Sequence, residues 1–214
     1  MKKSNITFDE FKLSVLDDYR IVCESREASL LGRKEVLTGK AKFGIFGDGK
    51  EVAQIAMART FKFGDFRSGY YRDQTFMMAI GELSLDALFS QLYANTDLDQ
   101  EPASGGRQMN NHFSTRSLDN KGDWKNLLQQ YNSASDISPT GSQMPRLLGL
   151  SYASKFYRNN KISQNTIFSN NGDEICFGTI GNASTSEGLF FETINAAGVL
   201  QVPMLLSIWD DGWG

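Results

Sequence analysis

The chain has 214 residues, a formal net charge of −3 and two cysteines. That length suits one domain with a substantial core. The charge supplies no basic excess to neutralise a phosphate backbone, which argues against a nucleic-acid binder, and no apolar run approaches the ~20 residues that a membrane span needs. The opening stretch MKKSNITFDEF carries lysines with no apolar run behind them, so it does not read as a secretory signal. Cys23 and Cys176 lie far apart in unrelated patterns. A disulfide framework is therefore not expected, which points to a reducing, cytoplasmic setting, and Cys176 reads as core.

In chain order, Thr7-Phe8-Asp9-Glu10 is a capping-box pattern. Behind it Phe8, Phe11, Val15, Tyr19 and Val22 recur at helical spacing and predict a long amphipathic helix that Gly39 can end. Residues 50–61 read as a second helix and 83–94 as a third. Residues 95–139 are long and polar and read mostly as loop, with a short helix near 124–131; a loop of that length in a compact domain is more often functional than idle. Residues 143–157 return to helix, with Pro145 in the first turn as helices tolerate.

The last third is the most informative. Residues 174–180 (EICFGTI) predict a buried strand, 181–187 (GNASTSE) a tight small-residue turn, 188–200 a helix, and 204–209 (MLLSIW) a second strand. That is a βαβ unit, so the two strands are expected to be parallel with a right-handed crossover. In open α/β sheets ligands sit beyond the carboxyl ends of the strands. Asn182 follows the first strand, and Asp210 and Asp211 follow the second. An amide oxygen and a carboxylate converging there suit a hard cation such as Mg²⁺, and the turn before the helix suits a phosphate. Metal and phosphate together read as a diphosphate cofactor. The spacing alone leaves open that Asn182 and Asp210 are turn residues and Asp211 is solvated surface.

Several landmarks carry a resemblance. They are Gly69-Tyr70-Tyr71-Arg72-Asp73; Gly106-Arg107-Gln108-Met109 with His112; Ser138-Pro139-Thr140 with Gln143-Met144-Pro145; and GNASTSEGLFFETINAAGVLQVP followed by DDGWG. In that order they resemble the α-subunit of the decarboxylating component of 2-oxo acid dehydrogenase complexes, of pyruvate or branched-chain type. The resemblance covers most of the chain from about Arg26. It implies an α/β thiamine-diphosphate-binding fold with a parallel sheet flanked by helices, preceded by an N-terminal helical segment (residues 1–40) and occupying residues 41–214. The family usually has Gly-Asp-Gly where this chain has Gly181-Asn182-Ala183, and Asn-Asn where it has Asp210-Asp211. The amide and the carboxylate thus exchange places with no change in ligand charge.

The resemblance also implies roles. Asn182, Asp211 and the carbonyl of Trp213 would ligate Mg²⁺. Arg72 would hold the diphosphate with Tyr71 beside it, and Ser184 and the Ala183 N–H would contact the same group. Gly181 and Thr140 would line the aminopyrimidine, and His112 would lie near the reacting carbon. Arg107 reads equally as a loop-anchoring salt bridge. The literal Gly47-Asp48-Gly49 reads as a turn before a helix, with Gly49-Lys50-Glu51 on the family's Gly-Gln-Glu helix start. The implied reaction is oxidative decarboxylation of a 2-oxo acid with acyl transfer to a lipoyl-bearing acyltransferase. The implied partner is a β-subunit or β-like half in a hetero- or homo-oligomer. The expected sheet continues past two strands, so the chain reads as the N-terminal part of a longer polypeptide, inactive alone. Two alternatives stay open: another thiamine-diphosphate enzyme, such as an acetoin dehydrogenase or transketolase-like protein, or a degenerate non-catalytic domain. A plain dinucleotide binder is disfavoured, because GNASTS lacks the Gly-x-Gly-x-x-Gly spacing.

Overall fold

The computed structural model describes residues 6–160 and 166–212. Helix α1 (Phe8–Leu37) starts at the predicted capping box: the Glu10 amide donates to Thr7 Oγ1 at 3.2 Å and the Thr7 amide to Glu10 Oε2 at 2.7 Å. It ends at Thr38, followed by Gly39 at φ +78°. The predicted apolar stripe, however, is not what the helix buries. Phe8 is 77% and Tyr19 67% exposed, while Ile21, Ser25, Ala28, Ser29, Gly32 and Glu35 face inward. Close helix packing selects small residues there, and buried Gln74 Nε2 donates to the serine hydroxyls, Ser25 Oγ at 3.1 Å and Ser29 Oγ at 3.3 Å.

Helices α2 (Glu51–Ala58) and α4 (Leu85–Leu92), the latter capped by Ser84, fall within the predicted segments. Between them lie elements that the sequence pattern does not announce: strand β1 (Phe66–Ser68) and helix α3 (Gln74–Ala79). The polar stretch is mostly loop as expected, with a 3₁₀ turn at Leu127–Gln129 and a two-residue strand β2 (Asn132–Ser133). Helix α5 (Gln143–Asn160), strand β3 (Cys176–Gly181), helix α6 (Gly188–Leu200) and strand β4 (Met204–Trp209) complete the order. The predicted βαβ unit is therefore present, and its strands pair in parallel from Cys176 opposite Met204 to Gly181 opposite Trp209.

The sheet is wholly parallel, in the order β2-β1-β3-β4. Alternate residues of β3 serve two cores. Cys176 and Ile180 pack with Met144 and Leu147 of α5, and a Cβ on Gly178 would lie 2.2 Å from Leu147, so only glycine lets the helix approach this closely. Phe177 faces the other way, into a cluster with Phe61, Phe76, Met77, Leu88 and Trp209. Burial pushes the Cys176 thiol up to about 12, as expected of a core cysteine, and both cysteines are free. Among the described residues no helix is long and apolar enough to cross a membrane.

Candidate functional site

Strand order locates the site. The chain leaves β1 for β2 on one side, while β3 lies on the other, so the order reverses between β1 and β3. In doubly wound sheets the crevice beyond the strand ends at such a reversal is where ligands bind. The segment after β1 is Gly69-Tyr70-Tyr71-Arg72-Asp73, and the segment after β3 is Asn182-Ala183-Ser184. Two landmark stretches far apart in sequence thus meet at one sheet edge.

Asp73 fixes this junction, and it is completely buried. One carboxylate oxygen accepts from Arg67 Nε at 2.9 Å and Nη2 at 2.7 Å, from the Tyr70 amide at 3.3 Å, and from the Thr179 hydroxyl. The other accepts from the Trp209 indole N–H at 3.1 Å. Three strands and the Tyr71-Arg72 turn therefore share one anchor. A Cβ on Gly69 would come within 2.1 Å of Asp73, so this turn requires glycine. Arg67 also binds Asp136 at 3.0 Å, and both are fully buried. Burial opposes the guanidinium charge, but Asp136 and Asp73 outweigh it and raise the Arg67 pKa. Burial raises the Asp136 pKa, with repulsion from Asp73 added and the pull of Arg67 insufficient to reverse it.

Tyr70 is the unexpected member. Its ring is buried, yet its hydroxyl has no hydrogen-bond partner among the described residues. A Cβ added to Gly181 would lie 3.6 Å from that hydroxyl and 3.9 Å from Ser184 Oγ. Gly181 thus keeps open a space bordered by two hydroxyls, one of them an unsatisfied buried donor, which normally marks a place for a ligand. Burial, with Asp73 nearby, pushes the Tyr70 pKa well up against the pull of the neighbouring Arg72 guanidinium, so the phenol keeps its proton to donate. The partly exposed Arg72 side chain lies over the Tyr71 ring, 5.7 Å from its centroid.

His112 is buried and stacks on Tyr71 with centroids 6.0 Å apart. Its Nδ1 lies 3.1 Å from the Asn110 carbonyl, which can only accept, so Nδ1 carries hydrogen; Nε2 lies 2.8 Å from Ser138 Oγ. With Nδ1 donating, Nε2 pairs with the Ser138 hydroxyl. That bond ties the Gly-Arg-Gln-Met loop to the Ser-Pro-Thr segment. Thr140 is exposed, and adjacent Gly141 sits against Glu187 at the end of the turn after β3, a Cβ there lying 3.4 Å from Glu187 Cβ. Among the described residues Arg107 has no salt bridge; its Nη1 donates to the Ser104 carbonyl at 2.8 Å. The loop is instead anchored by buried Glu101, which accepts from the amides of Ala103, Ser104 and Gly106. No periodicity in the sequence marks Glu101, because its bonds go to the backbone of the next few residues and to the Ser104 hydroxyl.

Asn182 is partly exposed, and its amide donates to the Trp209 carbonyl at 3.3 Å, so the β3 and β4 turns are adjacent. Asp211 is exposed at the β4 turn, and its Oδ2 lies 2.9 Å from Lys50 Nζ. Trp213 lies outside the described residues. Among the described residues no group of three or more His, Cys, Asp or Glu side chains has an arrangement for a metal ion. With its carboxylate already facing an ammonium, this corner does not fit a divalent cation as arranged, since a hard cation depends on ligand negative charge. The donor chemistry beside Gly181, the Tyr70 and Ser184 hydroxyls with the Arg72 turn next to them, suits a diphosphate.

The fold defines an α/β protein with a four-stranded parallel sheet flanked by helices and a candidate site at its carboxyl edge. The profile of the dehydrogenase E1 component matches residues 25–214, and the chain belongs to that family. It is 29% identical over 195 residues to the 2-oxoisovalerate dehydrogenase subunit alpha of Bacillus subtilis (strain 168), a match covering 89% of this chain and 49% of that protein. It is 25% identical over 175 residues to the 2-oxoisovalerate dehydrogenase subunit alpha 1, mitochondrial, of Arabidopsis thaliana, covering 82% of this chain and 30% of that protein. The chain thus spans about half the length, or less, of these relatives.

Proposed function

We propose that the chain is the cofactor-anchoring part of a 2-oxo acid dehydrogenase decarboxylating component and that the crevice between β1 and β3 takes the diphosphate of thiamine diphosphate. The observation that carries this reading is the meeting of Arg72, the unpartnered Tyr70 hydroxyl and the Gly181–Ser184 turn at the reversal of strand order. Bound there, thiamine diphosphate would supply a nucleophilic thiazolium carbon and the ring that accepts electrons when carbon dioxide leaves.

The chain's own residues hold and orient. Arg72 offers a planar fork of donors suited to phosphate oxygens, and its stacking on Tyr71 limits the conformations it must give up on binding. Tyr70, Ser184 and the Ala183 N–H add neutral donors. Gly181 leaves room for the aminopyrimidine end, with Thr140 on the neighbouring loop. His112 presents a ring whose Nδ1 proton is committed to Asn110, so Nε2 is the atom that exchanges a proton, with Ser138 as its resting partner. The relatives' names support a branched 2-oxo acid such as 2-oxoisovalerate as substrate. A β-subunit or β-like half and a lipoyl-bearing acyltransferase complete the proposed assembly.

Titration calorimetry with thiamine diphosphate tests the reading. The wild-type chain is expected to bind, and Arg72→Ala to bind roughly 10- to 100-fold more weakly, as fits loss of charge-assisted bonds worth about 1.5–3 kcal/mol. Equal affinity in the two proteins would remove Arg72 from the site.

A further inference from the structure

We infer that the fixed cation at the diphosphate turn is the Lys50 ammonium, so that thiamine diphosphate binds this chain without a divalent metal. The inference rests on the cofactor reading above.

Lys50 starts α2, and its side chain is only 9% exposed although it carries a charge. Its Nζ lies 2.9 Å from Asp211 Oδ2 across 161 residues of sequence, so a helix start on one side of the crevice reaches the β4 turn on the other. The turn before it and the helix after it are both held against the arginine turn. A Cβ on Gly47 would lie 2.4 Å from the Arg72 carbonyl, and Gln54 Nε2 donates to that same carbonyl at 2.8 Å. The nearby acids are already committed: Glu51 pairs with Arg26 at 2.6 Å and accepts from the Gly49 amide at 3.0 Å, and Asp48 pairs with Arg33 at 2.5 Å. Asp211 is therefore the carboxylate that Lys50 meets. Lys50, directly after the Gly47-Asp48-Gly49 turn that the sequence reads only as a turn before a helix, thus joins the site.

Charge and geometry favour the ammonium over a metal. A divalent ion on Asp211 would compete with Lys50 for the carboxylate, and a largely buried ammonium that loses its carboxylate is costly. An ammonium has three donors; one satisfies Asp211 and others remain for phosphate oxygens. Nearby, the buried Tyr70 hydroxyl still lacks an acceptor, which independently marks the crevice as a ligand site.

The test is calorimetric titration of the 214-residue chain with thiamine diphosphate, once with EDTA and once with saturating Mg²⁺, on wild type and Lys50→Gln, with a separate titration of Mg²⁺ alone. Wild type is expected to bind in EDTA within about threefold of its affinity in Mg²⁺, and Mg²⁺ alone to give no binding heat. Lys50→Gln is expected to lose about tenfold or more in EDTA and to recover with Mg²⁺, now that no ammonium faces Asp211. Lys50→Arg, which keeps the charge, should retain binding in EDTA and shows whether any loss in the glutamine variant comes from folding. Wild-type binding that requires Mg²⁺ would overturn the inference while leaving the cofactor reading intact. Lys50→Gln matching wild type in EDTA would overturn it too. No wild-type binding in either buffer would overturn both.

Discussion

Strands β3 and β4 are neighbours of equal length, and they live in different surroundings. Every residue of β3 is buried, whereas Leu205 and Ile208 of β4 are 39% and 47% exposed, and α6 beside it buries only Thr193. The contrast separates two ways of holding a site. The β1–β3 side is locked by a dry ionic hub at Arg67, and its turn carries Tyr70 and Arg72. The β4 side brings Asp211 from an exposed turn that Lys50 secures from across the crevice. Rigidity comes from the first side, and charge adjustment comes from the second.

Removing the hub should erase the difference. Arg67→Met leaves Asp73 and Asp136 buried without their guanidinium, and urea denaturation should show a loss of roughly 3–5 kcal/mol. A loss no larger than a surface change would show that Asp73 holds the strands without Arg67.

The hub should also announce itself by pH. The folded pKa of Asp136 is raised, first by burial and then by Asp73. The folded state therefore keeps a proton that the unfolded chain releases near pH 4. The stabilisation from that proton is complete below the unfolded pKa and is lost as pH rises from there through the folded value. Asp136→Asn, neutral throughout, should flatten this part of the stability-versus-pH curve measured against wild type. An unchanged slope would mean that Asp136 is ionised in the fold.

At the exposed margin the expected effect is small. Val199 is 76% exposed on α6, so Val199→Ser should change thermal stability by no more than about 0.5 kcal/mol. A cost several times larger would reveal packing on that face.

Much of the fold can be read locally. The capping box at Thr7 and Glu10, the Ser84 start of α4 and the strand–turn–helix–strand run from Cys176 to Trp209 all depend on neighbours a few residues apart, and all are present. The stripe from Phe8 to Tyr19 shows where that reading stops: its helical period is real, but the face packed against α2 and α3 is the one with Ser25, Ala28, Ser29 and Gly32, because tight helix packing favours small residues over apolar ones. Strand β1 is missed for a related reason. It is three residues long, with an arginine at its centre, and nothing in its pattern alternates.

The sequence by itself determined the class of the protein and the βαβ unit, because motif order and side-chain period are properties of the chain. Tertiary structure alone decided that Arg67 sits dry between Asp73 and Asp136, that Tyr70 is left with an unused donor, and that Lys50 meets Asp211. Those pairs join residues as far as 161 positions apart. Each depends on burial, which strips away water and makes a few charges and hydroxyls answer to one another, and no local pattern records which of them will be brought together.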